Sequence, residues 1–332
     1  MLRAKINPNY HVANRPHFDE VEVKGGGDAV SAARAVLQSG EYDYAWNMQV
    51  EDEILLKMEA LGRGQDQHHA VRQRRIHASS ISTDPAVEVD GERASIKTKH
   101  PLFSDPAVRQ AINLLIDRAS IEKFIYGRTA LATANFLNNP PRFRSKNTKF
   151  EFNIEKANQI LEAAGWKKGG DGIRARDGKP LKFVFQTSIN APRQKTQSIV
   201  KQACQKAGID VELKSVVGSV FFSSDAANPD TYPHFYCDAQ MYNTTMPQAD
   251  PQFFMNQYVS WQVANKDNKW QGRNVSRWQS QGIRRDLQAG RPGARRGEAR
   301  GAVHQAQRPR RVGQLHPAHH LPDPGRSASA AS

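Results

Sequence analysis

Residues 101–127 read PLFSDPAVRQAINLLIDRASIEKFIYG, and the spacing of their apolar positions decides what this stretch must be. Val108, Ala111, Ile112, Leu115 and Ile116 fall at i, i+3, i+4, i+7 and i+8, a single apolar stripe along a helix. Ser104 or Asp105 is placed to accept hydrogen bonds from the free first-turn amides, and Pro106 stands where a missing N–H costs nothing. A second helix follows, with Ser120 as its expected cap and Gly127 as its stop. An apolar stripe of this width must face a core, so the stretch reads as a buried helix pair.

Upstream, Val21 and Val23 alternate with charged residues before Gly25-Gly26-Gly27. Asp28 is placed to cap a helix whose Ala29, Ala32, Ala33, Val36 and Leu37 share a face, and Gly40 ends it. Residues 42–46 read as a strand and 50–61 as a helix, which completes a βαβα unit. The triple glycine lacks both G-x-G-x-x-G spacing and a Gly-Lys-Ser/Thr, and the Asp28 carboxylate repels phosphate. It reads as a tight turn, not a nucleotide loop.

Downstream, Asn153 caps a helix with Ile154, Ala157, Ile160, Leu161 and Ala164 inward and Gly165 as its stop. Asp177-Gly178 marks a hairpin between 173–176 and 181–187. A helix over 192–207, with Ile199, Val200, Ala203 and Ala207 inward, and a strand over 209–217 then close a βαβ crossover. A short helix at 219–224, a strand at 235–242, a loop at 243–251 and a helix at 252–259 complete the regular part.

At 332 residues with 38% hydrophobic content the chain has enough material for two domains. No run of about 18 apolar residues offers a membrane span. The opening MLRAKINPNYHV has no apolar core of a secretory signal, so no export signal is expected in this chain. The formal charge of +14 is concentrated: 279–332 holds ten Arg, no Lys and three acids, and 62–78 holds four Arg against Asp66, leaving +4 for the rest. Cys204 and Cys237 are too few for a disulfide scaffold; two buried thiols are expected, with a Cys204–Cys237 bridge as the alternative. His68, His69 and His77 lie in a stretch without a helical or alternating period, so no metal site is expected there. No nucleophile elbow, His-Glu-x-x-His or Cys-x-x-Cys occurs, and Glu51, Asp52 and Glu53 sit at a helix start, where they serve the dipole; no enzyme and no cofactor is expected.

The phrase Asp105-Pro106-Ala107-Val108-Arg109-Gln110-Ala111, running on to Ile116-Asp117-Arg118, resembles the signature of family 5 extracellular solute-binding proteins, the peptide, oligopeptide and nickel receptors of ABC importers. The segment NIEKANQILEAAGW over 153–166 is a second close match, and FDEVEVKGGGDAVSAARAVLQSGEYDYAWNMQ over 18–49 is similar to the late part of lobe I in the family. The resemblance covers about 6–62 and 81–278. It implies an α/β fold of the periplasmic-binding-protein-like type II: lobe II at 81–278 plus a remnant of lobe I at 1–62. Residues 63–80 are expected to be irregular and 279–332 a disordered Arg-rich tail. Both stretches read as out-of-frame translations of GC-rich coding sequence, and an Arg-rich nucleic-acid arm has charge alone in its favour.

The resemblance further implies a monomer in the periplasm that captures a peptide or related small solute between two lobes and passes it to an ABC transporter permease, with no nucleic acid as partner. Strand ends supply the candidate ligand contacts: Trp46, Asn47 and Gln49 from lobe I, and Arg193, Tyr242, Asn243 and Asp250 from lobe II. Trp46 and Tyr242 would offer apolar faces, or belong to a core or rim; Asn and Arg would pair with a backbone or carboxylate. Relatives place a carboxylate for the ligand's amine just before the Asp-Pro pair, where this chain has Thr245, Met246 and Pro247. Either Asp250 takes that role or the ligand lacks a free amine. The competing expectation is a fragment of such a receptor that no longer binds ligand.

Overall fold

The structure, a computed structural model, describes residues 1–46, 48–62, 74–137, 141–245 and 250–279. The expectations for Asn47, for 63–73 and for the tail from 280 fall outside these residues. The chain divides into two compact units, Met1–Gln67 and His68–Ser332.

In the first unit, β1 (Leu2–Lys5) pairs antiparallel with β2 (Glu20–Val23), and every residue of both strands is exposed. The Asp28 carboxylate accepts the amides of Val30 and Ser31 at 2.9 Å each and so starts α1 (Ala29–Ala33), which continues as a wider π turn over Arg34–Gln38. Together with α2 (Asp52–Leu61) it buries Ala33, Leu37, Val50, Leu55 and Met58. Gly62 approaches so closely that a Cβ there would fall 1.7 Å from the Leu37 carbonyl oxygen. The strand expected at 42–46 is not formed, and the order is ββαα instead of βαβα. Tyr42, Tyr44 and Trp46 alternate as in a strand, but among the described residues no strand pairs with them, and the Tyr42 amide bonds the Ala35 carbonyl at 3.2 Å instead.

The second unit opens with β3 (Arg74–Ser80) and the small hairpin of β4 (Glu88–Val89) and β5 (Glu92–Arg93). Helix α3 (Pro106–Leu114) starts where Asp105 accepts the Ala107 amide at 2.8 Å, and it buries Val108, Ala111 and Ile112 as the stripe requires. Helix α4 (Arg118–Ile121) runs into a π turn over Glu122–Tyr126 and stops at Gly127, with φ +48°. Its cap is Asp117, not Ser120: the Asp117 carboxylate accepts the Ser120 amide at 3.0 Å, a stronger acceptor one turn earlier. Asn153 caps α5 (Ile154–Ala163) by accepting the Lys156 amide at 2.8 Å, and Gly165 follows with φ +84°.

Next come β6 (Lys167–Lys168), β7 (Arg174–Arg176), β8 (Lys179–Pro180), β9 (Lys182–Ser188), α6 (Ala191–Lys206), β10 (Asp210–Val216), α7 (Gly218–Phe221), β11 (Ala239–Thr245) and α8 (Gln252–Met255). The Asp177-Gly178 hairpin exists, but its returning arm is only β8. Both turn residues have positive φ, +51° and +72°, so the turn holds two residues, and the chain then leaves for a different sheet. That sheet has the order β10-β9-β11-β3, with β10, β9 and β11 parallel and β3 antiparallel at the edge. The crossover β9-α6-β10 is as expected.

Two further expectations are corrected here. Residues 74–80, expected to be irregular, form β3, paired along its whole length with β11 from Ala239↔Ser80 to Thr245↔Arg74. Backbone pairing does not need an apolar period, so the residue pattern could not show it. The strand expected from 235 starts at Ala239, because Phe235 takes a positive φ of +52°.

Helices α3, α5 and α6 and strands β9, β10 and β11 share one core, with Leu115, Leu161, Trp166, Phe183, Phe185 and Val211 inside it. Each large apolar side chain buried there contributes about 2 kcal/mol. Val184 points to a second cluster of Ile81, Phe235, Ala264 and Val275, so β9 is covered on both faces. Among the described residues no helix is long and apolar enough to cross a membrane.

Candidate functional site

In an open α/β sheet, ligands sit beyond the carboxyl ends of the parallel strands. Here β9 ends at Ser188, and Met241 of β11 stands beside Thr187, so Asn243 lies two residues farther on, level with the chain leaving β9. That chain turns at once into α6. Asn190 caps it by accepting the Arg193 amide at 3.3 Å, and the Asn-Ala-Pro wording makes this start legible. Arg193 therefore stands in the first helical turn, 5% exposed.

Three polar atoms at these ends have no hydrogen-bond partner: Ser188 Oγ, Arg193 Nε and Asn243 Oδ1. Buried polar groups are nearly always satisfied, so these three are free to take a ligand's atoms, although Arg109 Nε, Gln240 Oε1, Trp270 Nε1 and Arg277 Nε are left in the same state elsewhere in the unit. Burial pulls the Arg193 guanidinium pKa below its usual value, with the Tyr126 phenol pushing the other way. Around the same ends Ile189, Val217 and Phe222 are 56%, 55% and 47% exposed, and the Ile189 amide bonds the Val216 carbonyl at 2.8 Å. The arrangement offers a donor, an acceptor, a hydroxyl and apolar surface, which is equipment for holding a polar organic solute.

Of the residues expected to bind ligand, Arg193 stands in the first turn of the helix that leaves β9, and Asn243 on β11 two residues past the Thr187–Met241 pair; Ser188 is the last residue of β9. Ser188 was missed because a strand-terminal serine carries no signal until its neighbours are known. Tyr242 instead packs its ring 5.3 Å from Tyr232 and 6.4 Å from Phe221, and burial raises its phenol pKa. Asp250 is exposed, and its carboxylate accepts the Gln252 amide at 2.7 Å just ahead of α8. In the first unit Trp46 is 71% exposed and Gln49 is buried.

His100 and the two cysteines are committed to structure. His100 Nδ1 accepts the amides of Leu102 and Phe103, which leaves its proton on Nε2, 3.0 Å from Asp238 Oδ1, while Asp238 Oδ2 accepts the Val184 amide at 2.7 Å. Cys204 and Cys237 are free and buried, and burial pushes the Cys204 thiol up to about 12. Among the described residues no group of three or more His, Cys, Asp or Glu could hold a metal ion.

The sequence profile of bacterial extracellular solute-binding proteins, family 5 Middle, matches residues 2–266. The oligopeptide-binding protein AppA of Bacillus subtilis is 30% identical over 221 residues, covering 65% of this chain and 36% of AppA. The structure of AppA in complex with a nonapeptide superposes with a TM-score of 0.65 at 23% identity, covering 92% of this chain and 55% of AppA. That of NikA from Brucella suis in complex with Fe(III)-EDTA gives 0.61 at 17% identity, covering 92% and 56%. The chain spans about a third of the length of the curated relatives it matches. The fold is that of the type II periplasmic binding proteins, and, since the profile covers most of its length, the chain belongs to family 5 of the bacterial extracellular solute-binding proteins.

Proposed function

We propose that this chain captures a peptide-like solute outside the cytoplasmic membrane and delivers it to the permease of an ABC importer. The observation that carries the proposal is the set of orphaned atoms at the carboxyl ends of β9 and β11. A peptide backbone complements them: its carbonyls accept from Arg193 Nε and Ser188 Oγ, and its N–H groups donate to Asn243 Oδ1. Ile189, Val217 and Phe222 supply apolar surface that tolerates varied side chains. Asp250, exposed and close in sequence to β11, is assigned to the ligand's amine. The oligopeptide named with AppA and the nonapeptide in its structure support the same solute class.

A thermal-shift titration of the whole chain with di- and oligopeptides tests this. A ligand that binds only the folded state adds about 2.7 kcal/mol at a hundred times its Kd, so a saturating peptide raises the melting temperature by several degrees. A flat response across the panel overturns the proposal and leaves a receptor fragment without ligand binding.

A further inference from the structure

Ahead of α5 the chain reads PRFRSKNTKFEF over 141–152, and Arg142, Arg144, Lys146 and Lys149, all exposed, stand against a single acid, Glu151. That acid is already engaged: it accepts from Lys156 at 2.8 Å and from the Asn153 side-chain amide at 2.9 Å. Among the described residues Arg142, Lys146 and Lys149 form no ion pair. Phe150 and Phe152 beside them are 36% and 42% exposed. Fixed contacts hold this stretch in place. Phe143 packs on the cluster of Phe136, Leu137 and Phe254, the Asn135 carbonyl oxygen Oδ1 accepts the Ser145 amide at 2.6 Å and the Thr148 hydroxyl at 3.0 Å, and the Asn153 amide bonds the Leu114 carbonyl at 2.9 Å. Cations crowded without acids repel one another and attract an anionic surface. Exposed aromatic rings beside them suit a boundary where phosphates lie over acyl chains. A stacked nucleobase fits less well, because the Arg118 guanidinium already lies 5.6 Å from the centre of the Phe150 ring and takes one of its faces.

We propose that residues 141–152 rest on an anionic phospholipid surface, with Arg142, Lys146 and Lys149 at the phosphates and Phe150 and Phe152 at the acyl boundary. The inference goes beyond solute capture and does not depend on it. The arginines of 279–332 also attract phosphate, so the test reads this stretch separately from them.

The full chain is floated with vesicles of phosphatidylglycerol and phosphatidylcholine, and in parallel with vesicles of phosphatidylcholine alone. It is expected to bind the first and not the second, and to be released by salt. Each cation beside an anionic surface strengthens binding about fivefold, so the variant carrying Arg142→Gln, Lys146→Gln and Lys149→Gln is expected to bind about a hundredfold more weakly. A second variant, Phe152→Trp alone, reports from the stretch itself: its emission, read as the difference from the parent chain, moves to the blue on anionic vesicles and is quenched by brominated acyl chains. That reading needs none of the three charge substitutions, so it does not depend on how the triple variant folds. Vesicle binding that the triple variant retains in full, or a Phe152→Trp emission that the vesicles leave unmoved, overturns the inference and assigns the attraction to the arginines of 279–332. An emission that a single-stranded oligonucleotide moves and vesicles do not overturns it in favour of nucleic acid, and absence of binding to any vesicle overturns it outright.

Discussion

Asp105 makes three connections with one carboxylate. It caps α3 through the Ala107 amide at 2.8 Å, accepts the Trp166 indole N–H at 3.0 Å and pairs with Arg176 at 2.7 Å, while the Arg176 guanidinium lies 4.5 Å from the centre of the Trp166 ring. Desolvation by burial would raise its pKa, but the bonds from Trp166, the Ala107 amide and Arg176 together outweigh it and hold the folded value below 3.8. The folded state therefore holds this proton more weakly than the unfolded chain. Its stabilising contribution is complete above the unfolded pKa and is lost as pH falls below it and through the folded pKa. Urea unfolding at a series of pH values is expected to show a falling midpoint below pH 3.8. Asp105→Asn is expected to lower the midpoint at about pH 7 and to flatten that acid decline. An unchanged acid limb in the variant would remove Asp105 from this account.

Helix α5 shows how much an element owes to its ends. Its Ala157 and Leu161 pack into the main core beside α3, yet ten residues are too few to hold a helix in water. The Asn153 side chain satisfies one of the free amides, and Asn153→Ala is expected to cost about 1 kcal/mol. This reads as a lower urea midpoint with an unchanged slope, since no surface burial is lost. The Asp177-Gly178 turn works the same way, by local backbone preference alone. β3 is the opposite case: nothing in its residue pattern asks for a strand, and it exists because β11 offers an unpaired edge.

On the scale of the molecule, the two units have unequal cores. Among the described residues, the unit Met1–Gln67 rests on one cluster around Ala33, Leu37, Val50, Leu55 and Met58, and every residue of its β1–β2 pair is exposed. The unit His68–Ser332 holds a sheet covered on both faces. A two-stranded pair whose apolar face, here Leu2, Ala4, Val21 and Val23, stays exposed is marginal in water. Hydrogen exchange followed by mass spectrometry is expected to find amides of β1 and β2 exchanging at least about a thousandfold faster than those of β9. Equal protection would show that the hairpin is held by more than its own ladder.

Sequence by itself determined the features that a few adjacent residues decide. The Asp28, Asp105 and Asn153 caps, the stripe from Val108 to Leu115, the Asp177-Gly178 turn, the β9-α6-β10 crossover and the family phrases all depend on short-range spacing or on wording. Two of the three residues of the candidate site were legible in the same way, since Arg193 follows a recognisable helix start and Asn243 a recognisable strand. Only the tertiary structure decided the rest: that 42–46 forms no strand and 74–80 forms one, that Tyr242 turns into the aromatic cluster, and that Ser188 Oγ, Arg193 Nε and Asn243 Oδ1 are left unbonded. A hydrogen bond made or missing between strands is a property of residues far apart in the chain, and no local pattern records it.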